Sequence, residues 1–266
     1  MKFLPFRSRK APRQEDRPAP RGAADARCYA IGDVHGCLDQ LAELLGLIAR
    51  DNALRGPAAK AYLVMLGDLI DRGPDSRGVV DLVRSVPLTG MTLVSLLGNH
   101  EELFLRILDG ESGLMPRWLQ YGGLECALSY GVGREALLAA AGDDEAMAAL
   151  LRASVPEEHI AFLKSCGDGF RFGDYLFVHA GIRPGVAIDA QDVADLRWIR
   201  EQFLDSDADH GVVVVHGHTI SDEPDEQANR IGIDTGAYAT GRLTAIAIEG
   251  EDRWYLSAEG EPSWFG

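Results

Sequence analysis

The chain has 266 residues, 46% of them hydrophobic and 25% charged, enough for one sizeable domain of ordinary globular composition. Its formal net charge of −15 is unevenly placed: residues 1–22 carry seven Lys and Arg against two acids, leaving −20 for the rest. So acidic a body excludes a nucleic-acid partner, whose phosphate backbone needs a positive surface. In chain order, residues 1–26 hold four prolines and little apolar content. They are expected to form a disordered basic tail, suited at most to touching an anionic surface. Residues 27–266 are expected to form one domain. It starts with a short strand at Cys28–Ile31 and a helix from Leu38 to Ala49, with Leu41, Leu44, Leu45 and Ile48 on one side. Ala61–Leu66 reads as a second buried strand, Ser76–Ser85 as a helix and Thr92–Leu97 as a third strand. From Glu101 to Lys164 the pattern turns to Leu- and Ala-rich helices, a helical insertion broken at Gly122-Gly123. Strands return at Tyr175–Val178, Val212–Val215, Arg230–Ile233 and Leu243–Ile248, without helices long enough for crossovers, so this half should be antiparallel or mixed. The expected fold is a mixed α/β (α+β) β-sandwich flanked by helices. No apolar run approaches the roughly 20 residues of a membrane helix. The start lacks a signal-peptide core, and Cys28, Cys37, Cys126 and Cys166 show no Cys-x-x-Cys pairing, which together predict a cytoplasmic protein with reduced thiols.

Five segments carry the chemistry: Gly32-Asp33-Val34-His35-Gly36, Gly67-Asp68-Leu69-Ile70-Asp71-Arg72-Gly73, Gly98-Asn99-His100-Glu101, His179-Ala180-Gly181 and Gly217-His218-Thr219. Each stands where an apolar run stops and a glycine-bearing loop begins, at the strand ends where ligands of such sheets collect. Attack by water on a phosphate ester needs hydroxide at neutral pH and neutralised phosphoryl oxygens. Two divalent ions roughly 3.5–4 Å apart supply both. Two cations that close need an anionic bridge, and Asp68 is the natural one. Asp33 and His35 suit the first ion, and Asn99, His179 and His218 the second. Imidazole, carboxylate and amide together suit manganese, iron or zinc better than magnesium or calcium. His100, next to a ligand, is expected at the rim as a general acid oriented by Asp71, with Arg72 gripping the phosphate.

In order and wording the five motifs resemble the calcineurin-like metallophosphoesterases, and within them the bacterial phosphoprotein phosphatase branch. The resemblance spans roughly residues 27–249. It implies the metallophosphoesterase sandwich of mixed sheets, the same ligands position by position, and two transition-metal ions, most often manganese. Asp195-Leu196-Arg197-Trp198-Ile199-Arg200 resembles a Trp-x-Arg stretch whose arginine binds phosphate, which points to Arg200 ahead of Arg197 and Arg183. The implied activity is hydrolysis of phosphoserine and phosphothreonine monoesters, extending to phosphotyrosine, by a metal-bridging hydroxide, with a phosphoprotein as partner. The alternative is a symmetrical bis(5'-nucleosyl)-tetraphosphatase releasing ADP, whose motifs are the same and whose wording His179-Ala180-Gly181-Ile182-x-Pro184 approaches. A third reading, a binding module that has lost catalysis, would need an obstruction over a complete ligand set.

Plainer roles compete for other residues. His216, two positions before His218, reads as a strand residue behind the site. Asp234 either holds a ligating histidine or caps a turn. His159 and His210 read as surface residues. Trp118, Tyr121 and Tyr130 read as core of the insertion, although Trp118-Leu119-x-x-Gly122-Gly123 leaves room for a lid.

Overall fold

The computed structural model describes residues 19–87 and 90–263. Two five-stranded sheets form its centre. The first joins β1 (Ala26–Ile31), β2 (Lys60–Met65), β3 (Met91–Ser95), β9 (Arg242–Glu249) and β10 (Asp252–Glu259) in the order β10-β9-β1-β2-β3. β1, β2 and β3 run parallel, whereas β9 and β10 are antiparallel additions. The second joins β4 (Gly169–Phe172), β5 (Tyr175–Val178), β6 (Val213–His216), β7 (Asp225–Glu226) and β8 (Arg230–Gly232) in the order β4-β5-β6-β8-β7. Here β5, β6 and β8 are parallel, with antiparallel strands at both edges. The expected mixed-sheet sandwich is what forms. The later half is mixed, one of the two arrangements expected, and the parallel β5–β6 pair gains its crossover from two short helices, α9 (Val193–Trp198) and α10 (Glu201–Leu204).

β1 shows why the strands are apolar on both faces. Cys28 and Ala30 point into the layer between the sheets, among Phe172, Phe177, Val215 and Ile246. Tyr29 and Ile31 point the other way, onto α1 (Leu38–Leu54) and α2 (Ser76–Ser85). A strand covered on both sides has no polar face to show.

The insertion consists of α3 (Asn99–Leu108), α4 (Met115–Trp118), α5 (Leu124–Ser129), α6 (Arg134–Ala139), α7 (Asp144–Ser154) and α8 (Glu157–Ser165). It packs on the same side as α1 and α2 and shares their core. Between α4 and α5, Leu119–Gly123 make a π-type turn in which Gly122 takes φ 97°. α9 (Val193–Trp198) and α10 (Glu201–Leu204) cover the outer face of the second sheet with Ile199 and Phe203, and α11 (Ala237–Thr240) precedes β9.

Two expectations about surfaces change. The expected tail of residues 1–26 lies in part, over 1–18, outside the described residues. Its end, however, is tied down: Arg21 N–H donates to Asp174 (2.8 Å), Gly22 N–H to the Gly250 carbonyl (2.8 Å), and Ala26 opens β1. His159 is not a surface residue. α8 buries it against α2 and α5, where its ring nitrogens meet Tyr130 Oη (3.1 Å) and Asp81 (2.8 Å). His210 is half-buried, beside Phe203 and within 3.3 Å of Asn229. Among the described residues no helix is long and apolar enough to cross a membrane.

Candidate dinuclear metal centre

Every candidate ligand follows the carboxyl end of a parallel strand: Asp33 and His35 after β1, Asp68 after β2, Asn99 after β3, His179 after β5 and His218 after β6. The backbone there is strained. Of the six described non-glycine residues with positive φ, five are His35, Asp68, Asp71, Arg72 and His218. Such conformations cost of order 1–3 kcal/mol each and persist only where surrounding contacts impose them. Close approach imposes some glycines as well. A Cβ on Gly217 would stand 2.0 Å from Asp33 Oδ1, which instead accepts, with Oδ2, the His218 backbone N–H at 3.1 Å.

The structure gathers His35, Asp68 and His100 into one group and Asp68, His179 and His218 into another, each with donor atoms within 4.8 Å of one another. Asp68 belongs to both. Asp33 joins the first group through Oδ2, 4.0 Å from His35 Nε2. Asn99 joins the second through Oδ1, 2.9 Å from His179 Nε2. Main-chain carbonyls set both key imidazoles: His35 Nδ1 lies 2.8 Å from the Ile70 oxygen and His179 Nδ1 2.9 Å from the Leu66 oxygen. A carbonyl only accepts, so the Nδ1 atoms carry protons and both rings are turned with Nε2 toward Asp68. His35 Nε2 faces Asp68 Oδ2 at 3.6 Å, and His179 Nε2 faces the same atom at 3.4 Å. Imidazole nitrogens, an amide oxygen and carboxylates converging this way call for positive charge between them. The titration behaviour expresses the same demand. Burial alone would lower His179, but Asp68, Asp33 and Glu101 outweigh it and push it up to about 9. Its ring neighbour His218 is pushed down to about 2 by burial and by His179. These donors fit two divalent transition-metal ions.

His100 departs from expectation. It is buried, not at the rim, because it occupies the first turn of α3, the helix that opens the insertion. Its Nδ1 meets Asp71 Oδ2 at 2.7 Å, while Nε2 points toward Asp68 Oδ2 (3.9 Å) and Arg72 Nη2 (3.3 Å). Burial would lower its pKa, yet the Asp68 charge and the Asp71 hydrogen bond hold it above the usual imidazole value. Arg72 is half-buried and donates from Nη1 to Tyr238 Oη at 2.6 Å. Of the three rival arginines, Arg197 is paired with Asp168 and Glu102, and Arg183 with Asp195. Arg200 is exposed and donates to Thr219 Oγ1 (3.2 Å), in the His218 loop.

The structure also places the residues for which plainer roles competed. His216 is buried at the end of β6 with Nδ1 on the Gly217 carbonyl (3.0 Å). Asp234 caps a turn, accepting Gly236 N–H at 2.9 Å. Trp118 and Tyr130 are buried in the insertion, but Tyr121 is 41% exposed, its ring 6.4 Å from that of His100. Three contributors went unassigned in the sequence. Glu101 accepts the N–H groups of Asp68, Leu69, Ile70 and Gly98 at 2.7–3.2 Å, holding the bridging loop on the start of α3. A Glu three positions after the helix-capping glycine is a legible signal for that reach-back. Trp118 on Asp71 and Tyr238 on Arg72 had no local signal, since both pairs are distant in sequence.

The fold and the donors gathered at the strand ends agree with one family. The calcineurin-like phosphoesterase family matches residues 26–244, and the chain belongs to it. It is 33% identical over 156 residues to a symmetrical bis(5'-nucleosyl)-tetraphosphatase of Methylococcus capsulatus, covering 59% of this chain and 43% of that enzyme. It is 29% identical over 232 residues to serine/threonine-protein phosphatase 1 of Salmonella typhimurium, covering 83% of this chain and 91% of that one. The chain spans less than half the length of the curated tetraphosphatases it matches. Among solved structures, one provisionally assigned as a diadenosine tetraphosphatase superposes with a TM-score of 0.61 at 21% identity, covering 92% of this chain and all (100%) of that one. A cold-active protein-tyrosine phosphatase of Shewanella superposes at 0.51 and 18% identity, covering 89% and 83%. At these identities the superpositions speak for the fold alone.

Proposed function

We propose that the chain is a phosphoprotein phosphatase that hydrolyses phosphoserine and phosphothreonine monoesters, with activity extending to phosphotyrosine. The observation that carries the chemistry is Asp68 Oδ2, within 3.4–3.9 Å of the Nε2 atoms of His179, His35 and His100, so that one carboxylate serves both ligand groups and faces the acid. Two divalent ions, manganese first among the candidates, would be held by Asp33, His35, Asp68, Asn99, His179 and His218. When bound they supply nucleophilic water at neutral pH and offset phosphoryl charge. The chain's own residues do the rest. Arg72, braced by Tyr238, and Arg200, standing on Thr219, grip the non-bridging oxygens. Asn99 adds its amide to the phosphate side of the site. His100, its Nδ1 held by Asp71, gives an Nε2 proton to the departing seryl or threonyl oxygen.

The substrate class is favoured by the alignment with the Salmonella phosphatase, which covers 83% of this chain and 91% of that one, whereas the first tetraphosphatase alignment covers 59% and 43%. Symmetrical hydrolysis of diadenosine tetraphosphate is the second reading, favoured by the higher local identity to those enzymes. The deciding experiment compares phosphate release from phosphoserine, phosphothreonine and phosphotyrosine peptides with ADP release from diadenosine tetraphosphate, using manganese-loaded protein. A kcat/KM at least about tenfold higher on the peptides is expected; dominant ADP release would transfer the site to the second reading.

A further inference from the structure

The stretch Trp118–Gly123 touches the centre at two points, and both fall on Asp71-Arg72. The Gly122 carbonyl accepts the Arg72 backbone N–H at 3.0 Å, an approach so close that a Cβ on Gly122 would stand 2.4 Å from the Arg72 nitrogen. The Trp118 indole N–H lies 3.1 Å from each carboxylate oxygen of Asp71. Trp118 and Asp71 are both fully buried (0% exposed), and the indole is stacked on Phe104 with ring centres 5.6 Å apart. The ring therefore has little freedom to turn away. Asp71 is a buried anion whose Oδ2 receives His100 Nδ1. A carboxylate has more lone pairs than one imidazole can satisfy. Its remaining side-chain partner, the Cys126 thiol, is a weak donor, so without the indole the carboxylate would be free to turn about its Cβ–Cγ bond and lose its aim at His100.

We infer that Trp118 is a positioning residue for the general acid: its indole N–H holds the Asp71 carboxylate in the orientation that presents Oδ2 to His100. The π-type turn keeps the indole aimed, because a Cβ on Gly123 would meet the indole ring at 2.2 Å. The insertion is thus a brace built into the acid pair. The inference rests on the reading of His100 as the acid.

The test is Trp118→Phe, which keeps a ring against Phe104 and removes only the donor. With both metals retained and KM unchanged, kcat on a phosphoserine peptide should fall about tenfold, a fraction of what a whole general acid supplies, while p-nitrophenyl phosphate, whose leaving group needs no proton, stays within about twofold. In a His100→Ala background the same substitution should change nothing further, since the two act in series. Equal losses on both substrates, or a full loss repeated on top of His100→Ala, overturn the inference while leaving His100 in place. A His100→Ala enzyme that loses both substrates alike removes the acid reading and this inference with it. Should Trp118→Phe fail to fold, the 15N–1H indole resonance of Trp118 decides. Asp71→Asn should shift it and leave the other three of the four tryptophans unmoved; an unshifted resonance overturns the contact.

Discussion

Asp68 meets different demands at its two oxygens. Oδ1 accepts the His100 backbone N–H at 3.0 Å, and Oδ2 faces three imidazoles. Burial would raise its pKa, but His179 and His100 hold it well below the usual carboxylate range, so it stays an anion. Replacing it with Asn would put either an uncharged oxygen or an NH2 where both ligand groups need charge. Asp68→Asn is expected to lose both metals, read by elemental analysis, and to drop kcat by at least about a thousandfold, more than a single oxyanion donor is typically worth. Two retained ions with normal turnover would refute the bridging role. The arginines differ by what already occupies them. Arg200→Ala should raise KM for a phosphopeptide more than Arg197→Ala, because Arg197 is held by Asp168 and Glu102. The reverse order in steady-state kinetics would move the phosphate contact to Arg197.

Elements meet at the start of α3, where Glu101 has the most to hold. Its carboxylate satisfies four N–H groups from the Asp68 loop and from Gly98. Burial and the Asp68 charge push it up to about 7, against donors that favour the anion. Glu101→Ala would leave those amides buried without partners, at about 1–3 kcal/mol each before relaxation. A stability loss above about 3 kcal/mol in urea unfolding is expected, with weakened metal retention. A loss below about 1 kcal/mol would show that water or a shifted loop replaces the carboxylate. The same junction explains a difference in legibility. The strand ends and the helices α1 and α2 were readable because apolar runs and periodicity are local. β4 and β7 were not, because β7 is only two residues long and β4, at Gly169–Phe172, alternates weakly, so both exist only through their partners. His159 was misplaced for a related reason. Its burial depends on Tyr130 and Asp81, 29 and 78 positions away.

For the molecule as a whole, a centre that gathers buried carboxylates and imidazoles should be stabilised by what it binds. Ions at about 100 times their Kd add about 2.7 kcal/mol per site, equivalent to roughly 5–10 °C for a domain of this size. Chelation should lower Tm by at least that interval and manganese should restore it in a concentration-dependent way; an unchanged Tm would mean the donors do not bind ions in the folded chain.

The candidate ligands, their place after apolar runs and the family were legible in the sequence alone. Side-chain type, glycine spacing and apolar runs are written locally, and a five-motif order leaves few alternatives. Tertiary structure alone decided that His100 is buried, that Arg200 and not Arg197 is free to reach the site, and that the insertion braces Asp71 through Trp118. Each of those facts depends on which distant group occupies a hydrogen-bonding atom, and such pairing arises only when the sheets and the insertion close around the same point.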